Sequence, residues 1–181
     1  MNPWYVFTYE TILGLANWSA FDAEIERKVV GVFSWMPMII MNVKYQGNQR
    51  RCDVFSIDDV REAASNSSVF VSELDRLTLQ GIVIDDHVDD LIAAFAPMFN
   101  VFGSVGASKY FHFSRPLLFP MWDKEMRERA HLPDSPDGFV DYMRLFQAEL
   151  EVPENFDLAR AEYSPNVVRG WDIVRMRNRG G

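Results

Sequence analysis

Lys109, His112 and Asp123 are the residues of this chain whose types and spacing could carry chemistry. A desolvated lysine amine can attack carbon, a histidine moves protons near neutrality, and a carboxylate stabilises developing positive charge or activates water. Lys109 and His112 stand three positions apart and would share one face of a helix. Asp123 follows the apolar run Leu117-Leu118-Phe119-Pro120-Met121-Trp122, which is expected to strip part of its hydration and strengthen its electrostatic leverage. Each residue also has an ordinary reading. Asp123 can be the N-cap of a helix over 124–130, Lys109 a solvated lysine or phosphate clamp, and His112, between Phe111 and Phe113, a partly buried structural histidine.

The elements that must position these groups are helical. Gly103 and Gly106 bracket Ser104-Val105, and glycine at this spacing supplies positive φ and close backbone approach. A helix over Ala107 to Phe113 then begins where free N–H groups could hold an anion such as phosphate, and Arg115-Pro116 ends it. Upstream, Asp85-Asp86 are expected to cap a helix with the stripe Val88, Leu91, Ile92, Phe95 and Met98, terminated by Pro97 and Asn100. The order over 87–114 is therefore helix, hairpin, helix.

Elsewhere the pattern predicts a helical arm over Asn2 to Trp18 and a helix capped by Ser19 with Phe21, Ile25, Val29, Val32 and Phe33. Met38 to Val43 reads as either helix or strand. A polar loop from Lys44 to Asp53 turns at Gly47-Asn48. Ser56 and Asp59 form a capping box for a helix through Ala64, and a separate helix runs from Ser68 to Leu79. Ser135-Pro136 and Ser164-Pro165 each read as a cap followed by proline, opening the last two helices. The expected fold is all-α, a single helical domain over 1–181.

Composition narrows the function classes. With 48% hydrophobic and 14% aromatic residues in 181, there is ample material for a core. One cysteine, Cys52, leaves no internal disulfide and no multi-cysteine zinc site, and His87 and His131 have no metal-ligand spacing with it, so no metal is expected. No secretory leader and no bilayer-spanning run is read, which makes a cytoplasmic protein the expectation. A net charge of −8 argues against a protein that coats nucleic acid non-specifically. Basic residues still gather at Arg50-Arg51 and at Arg169, Arg175, Arg177 and Arg179.

A helix ending at Gly103-Ser104-Val105-Gly106, a following helix with Lys109, and Asp123 opening a later helix together resemble the helix-hairpin-helix DNA glycosylase superfamily. The tail from Ser108 to Asp123 is also similar to uncharacterised bacterial proteins with Lys, His and Arg-Pro before an apolar run and Asp. The likeness spans about 25 residues, and Lys109 stands one position later than the family lysine usually does.

The resemblance implies that Gly103, Ser104, Val105 and Gly106 offer backbone N–H groups to a DNA phosphate, with a monovalent cation in the turn and no other cofactor. Ser108, His112 and Arg115 would join the DNA contacts. Lys109 would match the lysine that attacks the sugar in bifunctional members, and Asp123 the catalytic carboxylate. The implied partner is DNA carrying a modified base, in duplex or single strand, met by a monomer with no membrane. Trp4, Trp18, Trp35, Tyr45 and Trp122 are candidate walls of a pocket for the extruded base. The alternative is a non-catalytic helical module that uses the same hairpin to bind a DNA backbone or a protein.

Overall fold

In the computed structural model, residues 3–35, 45–46, 49–50 and 56–177 are described, with the side chains of 3–6, 45–46 and 49–50 excluded. Among the described residues the fold is all-α apart from one small ladder. Its elements are α1 (Pro3–Leu15), α2 (Ile25–Ser34), β1 (Tyr45–Gln46), β2 (Gln49–Arg50), α3 (Ile57–Glu73), a 3-10 turn (Ile84–His87), α4 (Val88–Ser114), α5 (Lys124–Arg129), α6 (Pro136–Glu151), α7 (Pro153–Glu162) and α8 (Val167–Arg177). β1 and β2 pair antiparallel through Tyr45 with Arg50 and Gln46 with Gln49, on either side of the expected turn.

Local rules set several boundaries. Ser56 and Asp59 make the reciprocal capping box that opens α3. Ser135 accepts from Gly138 N at 3.2 Å with Pro136 in the first turn of α6. Arg115 caps the end of α4, its N–H donating to Phe111 O at 2.8 Å just before Pro116.

The structure departs from the sequence expectation at other boundaries. α2 begins at Ile25 with Glu24 in the left-handed region, so Ser19 lies in the preceding turns and is no cap. The helix expected from Ser68 does not start there: α3 runs unbroken to Glu73, because Ser65 to Ser68 contain no glycine or proline and Ser68 turns its hydroxyl back to Ser65 O. Asp85 and Asp86 sit in the 3-10 turn, and α4 passes through Pro97 and Asn100 without stopping. α7 was not foreseen, since it buries only Ala159 and shows almost no apolar stripe. α8 is capped by Asn166, which accepts from Arg169 N at 2.9 Å, and not by Ser164. The readings placed on Pro37 and 38–43, and those on Trp4, Tyr45, Arg50, Arg51, Cys52 and Arg179, concern positions or side chains outside the described residues.

α4 is the axis. Its backbone leaves helical geometry at Gly103 (φ 72, ψ 173), which divides it into 88–102 and 104–114. The first half carries the expected stripe, with Leu91, Phe95 and Met98 buried against α3 and α6. The second half is buried almost all round: Ser104, Gly106, Ala107, Ser108, Tyr110, Phe111, His112 and Phe113 have little or no exposed surface. Tyr9 of α1, Trp18, Phe21 and Phe119 pack aromatic rings around it. Ile84–Ser114 is apolar and long enough to cross a membrane, yet more than half of its most apolar window is buried inside the fold, as befits a core helix.

Candidate functional site

Asp123 is the N-cap of α5, its Oδ1 accepting from Met126 N at 2.9 Å, and it stays partly exposed. The expectation of a helix opening here is met. What distinguishes the position is the chain that leads to it. After the exposed Leu117, residues 118–122 have no regular structure and are buried; Leu118 and Phe119 donate back to Arg115 O at 3.0 Å, and the other backbone groups need partners from outside. Leu117 O accepts from Leu79 N at 2.9 Å, and Phe119 O accepts from His112 Nδ1 at 2.7 Å. Met121 O accepts from the Tyr142 hydroxyl at 3.0 Å, while Met121 N donates to Asp172 Oδ2 at 3.4 Å. Trp122 is held at both ends by Ser108, whose Oγ accepts from Trp122 N at 3.1 Å and faces Trp122 O at 3.0 Å.

Ser108 therefore pins the residue before Asp123 to the residue before Lys109. The structure thus joins the two regions that the sequence nominated. Lys109 is partly exposed and places its Nζ over the Trp35 ring at 5.5 Å from the centroid, which also brings together the nominated lysine and a nominated pocket wall. Trp35 is half-buried and donates from its indole to Thr8 Oγ1 at 3.1 Å.

Behind Trp35 lies a buried polar cluster that the sequence reading missed. Arg169 packs its guanidinium against the Tyr9 ring at 4.8 Å and the Trp35 ring at 5.0 Å. The Tyr9 hydroxyl donates to His112 Nε2 at 2.9 Å, and because Nδ1 must donate to a carbonyl, the imidazole is the neutral Nδ1–H form. Burial, aided by the Arg169 charge, lowers the His112 pKa to about 3. Burial raises Asp172 to about 7, and the charge of Asp123 pushes the same way, against the pull of Arg169 and Arg175. The helix pattern conceals this cluster: Arg169 and Asp172 share the face of Val167–Arg177 opposite Val167, Trp171 and Val174, where solvated side chains are expected, so no local signal marks them as buried.

Several nominated contacts are corrected. Ser108 and His112 are fully buried and spent on internal hydrogen bonds, so they offer DNA no surface in this fold. Trp122 is a core residue stacked on Tyr142 at 5.9 Å and is not an open pocket wall. Trp18 is equally buried, against Tyr110 and Phe113. Arg115 pairs with Asp75 and donates to Ser19 O at 3.1 Å, tying loops together. In the glycine segment only Gly103 leaves helical geometry. Ser104, Val105 and Gly106 are the first turn of 104–114, Gly103, Ser104 and Gly106 are buried, and the Ser104 hydroxyl accepts from Arg127 at 3.1 Å. The C-terminal basic run is also dispersed: Arg169 is interior, Arg175 pairs with Glu149 at 3.3 Å, and Arg177 with Glu162.

Lys28 is a second amine of note. Burial lowers its pKa to about 8, but Ala20 O and Phe21 O and the Trp18 and Tyr110 rings enclose it, so it stabilises the 17–24 turns. Among the described residues no group of three or more His, Cys, Asp or Glu side chains could hold a metal ion.

No protein-family model matches the chain, and comparison with curated proteins and with solved structures finds no match either.

Proposed function

We propose that this chain is a DNA glycosylase of the helix-hairpin-helix type, hydrolysing the N-glycosidic bond of a modified base, with Asp123 as its essential carboxylate. The observation that carries the reading is the Ser108 grip on Trp122, which couples the helix bearing Lys109 to the segment bearing Asp123. In such a reaction the C1′–N bond breaks, the base leaves with the electron pair, and the sugar gains oxocarbenium character. Asp123 stabilises that charge and accepts a proton from the water that adds to C1′, leaving an abasic site.

Lys109 over Trp35 suits a cation that orients a backbone phosphate beside an aromatic surface for the extruded base. The mechanism this favours is direct hydrolysis. The acidic net charge favours a specialised substrate over general genome scanning, and hypermodified phage bases such as glucosylated cytosine, met in the bacterial cytoplasm during anti-phage defence, are the class to test first. The protein acts as a monomeric single domain in this reading.

The test is base release from duplex and single-stranded oligonucleotides carrying glucosylated, alkylated or oxidised bases. Release by the wild type, lost in Asp123→Asn with binding retained, is the expected result. Undiminished release by the variant would remove Asp123 from the chemistry. Borohydride trapping is expected to give no covalent adduct; an adduct that disappears in Lys109→Ala would replace direct hydrolysis with amine attack. A second reading follows from the capping bond that Asp123 already makes to Met126: a non-catalytic DNA-binding module, for which binding is salt-sensitive, no base is released and Asp123→Asn changes nothing.

A further inference from the structure

An N-cap needs one acceptor oxygen, and a six-residue helix such as α5 does not call for buried charge behind it. Yet both polar backbone atoms of Met121 are held by interior side chains of other helices, Tyr142 of α6 on the carbonyl and Asp172 of α8 on the N–H. Met121 Sδ also faces the Arg169 guanidinium at 3.7 Å. Asp172 is fully buried and its second oxygen, Oδ1, has no hydrogen-bond partner. For accepting one N–H, a carboxylate in this setting is costly where a neutral amide would serve.

We infer that Asp172, acting with Tyr142, is a positioning residue for Asp123: it fixes the path of Met121 and Trp122 and places a second negative charge behind the site. The catalytic consequence rests on the glycosylase reading; the coupling between the two carboxylates does not. The groups that face Asp172 are Arg169 and Arg175, which favour its ionised form, Asp123, which opposes it, and the hydroxyls of Tyr142 and Tyr9, whose pKa values its charge raises. Because Asp172 titrates at about 7, the charge behind Asp123 changes across neutral pH. An ionised Asp172 adds negative potential where the sugar becomes positive, so base release is faster above that point.

Two measurements decide this. The first uses no substrate: Asp172 is followed by ¹³C carboxyl NMR from acid to alkaline pH in the wild type and in Asp123→Asn. A midpoint near 7 that moves down in the variant is expected, since a neighbouring negative charge has gone. An unchanged midpoint overturns the inference. The second is base release. Asp172→Leu is expected to lower kcat roughly tenfold to a hundredfold with KM within about twofold, as displacement of a catalytic group does. Asp172→Asn, which keeps an acceptor for Met121 N–H, is expected to recover most of kcat and to lose the rise through neutral pH. Wild-type kcat in Asp172→Leu, or an unaltered pH profile in Asp172→Asn, overturns the inference. If the wild type releases no base from any oligonucleotide while the NMR midpoint moves, the glycosylase reading falls and the positioning role stands.

Discussion

Asp123 and Ser135 both open helices, and the chains that lead to them differ in every other respect. Ser135 is reached through His131, Leu132, Pro133 and Asp134, a surface turn in which Asp134 pairs with Arg127 at 2.6 Å and His131 takes a positive φ of 54. Its hydroxyl meets Gly138 N, and proline at the next position pre-sets the helix. Asp123 is reached through an interior run whose backbone groups are taken by Ser108, His112, Tyr142 and Asp172. Two caps that look alike in sequence thus stand on different foundations. The first is complete as a local device. The second draws on α4, α6 and α8, and the surplus of buried polar partners is what marks it as a place where direction matters.

The strongest way to break this contrast is to remove each cap's distinctive group. Asp123→Asn is expected to lower base release on the order of a hundredfold or more, the usual effect of losing a preorganised charge. Thermal stability should barely move, because asparagine caps as well as aspartate. Ser135→Ala should do the reverse, lowering stability by about 1 kcal/mol with release unchanged. Equal losses of stability in the two variants, with no difference in activity, would make Asp123 a cap like any other.

The next largest effect belongs to Ser108→Ala. The variant leaves Trp122 N and Trp122 O without their shared partner in the core, and each orphaned buried group costs on the order of 1–3 kcal/mol. Denaturant unfolding should therefore show a loss of roughly 2–6 kcal/mol. Base release per folded molecule should fall with it, since the link between the segments of Lys109 and Asp123 has gone. Tyr142→Phe removes the hydroxyl that bonds Met121 O, meets Met126 Sδ at 3.1 Å and accepts from Arg175 at 3.4 Å, and about 1–2 kcal/mol is expected. A Ser108→Ala protein as stable as the wild type would mean that residues 117–122 hold their path without the hydroxyl.

The contrast between the caps also separates what the sequence made legible from what it did not. Ser56 with Asp59, Ser135 with Pro136, Asp123 at its helix start and Arg115-Pro116 at a helix end all obey rules that act within a few residues, and each was readable. Pro97 misled because tertiary packing carries α4 past it, and α7 was missed because its weak stripe gives no periodic signal. The scaffold behind Asp123 was invisible for a different reason. Asp172 is 51 positions from Met121, and Tyr9 is 103 from His112, so no local pattern links the partners. His112 was nominated for its chemistry, whereas its surroundings make it a neutral structural ring.

The smallest effect is expected in the wild type itself, because His112 and Asp172 oppose one another as pH changes. For His112 the folded pKa, about 3, lies below its ordinary 6.5, so the unfolded chain binds the extra proton between those values. Its contribution to stability is present above about 6.5 and is lost as pH falls toward 3. For Asp172 the folded pKa, about 7, lies above its ordinary 3.8, so the folded chain binds the extra proton in that window. Its contribution is greatest below 3.8 and is lost as pH rises to about 7. The two slopes have opposite sign and overlap between about 4 and 6.5, so their sum is small. Each single variant should unmask the other residue. Relative to the wild type, Asp172→Asn should become progressively more stable as pH rises through that window, and His112→Asn progressively less. Neither difference should exceed about 1.4 kcal/mol per pH unit, the limit for one proton. Denaturant melts at half-unit pH steps measure both differences. Parallel curves for all three proteins would mean that neither buried group changes its proton affinity on folding, and the interior foundation under Asp123 would lose its electrostatic character.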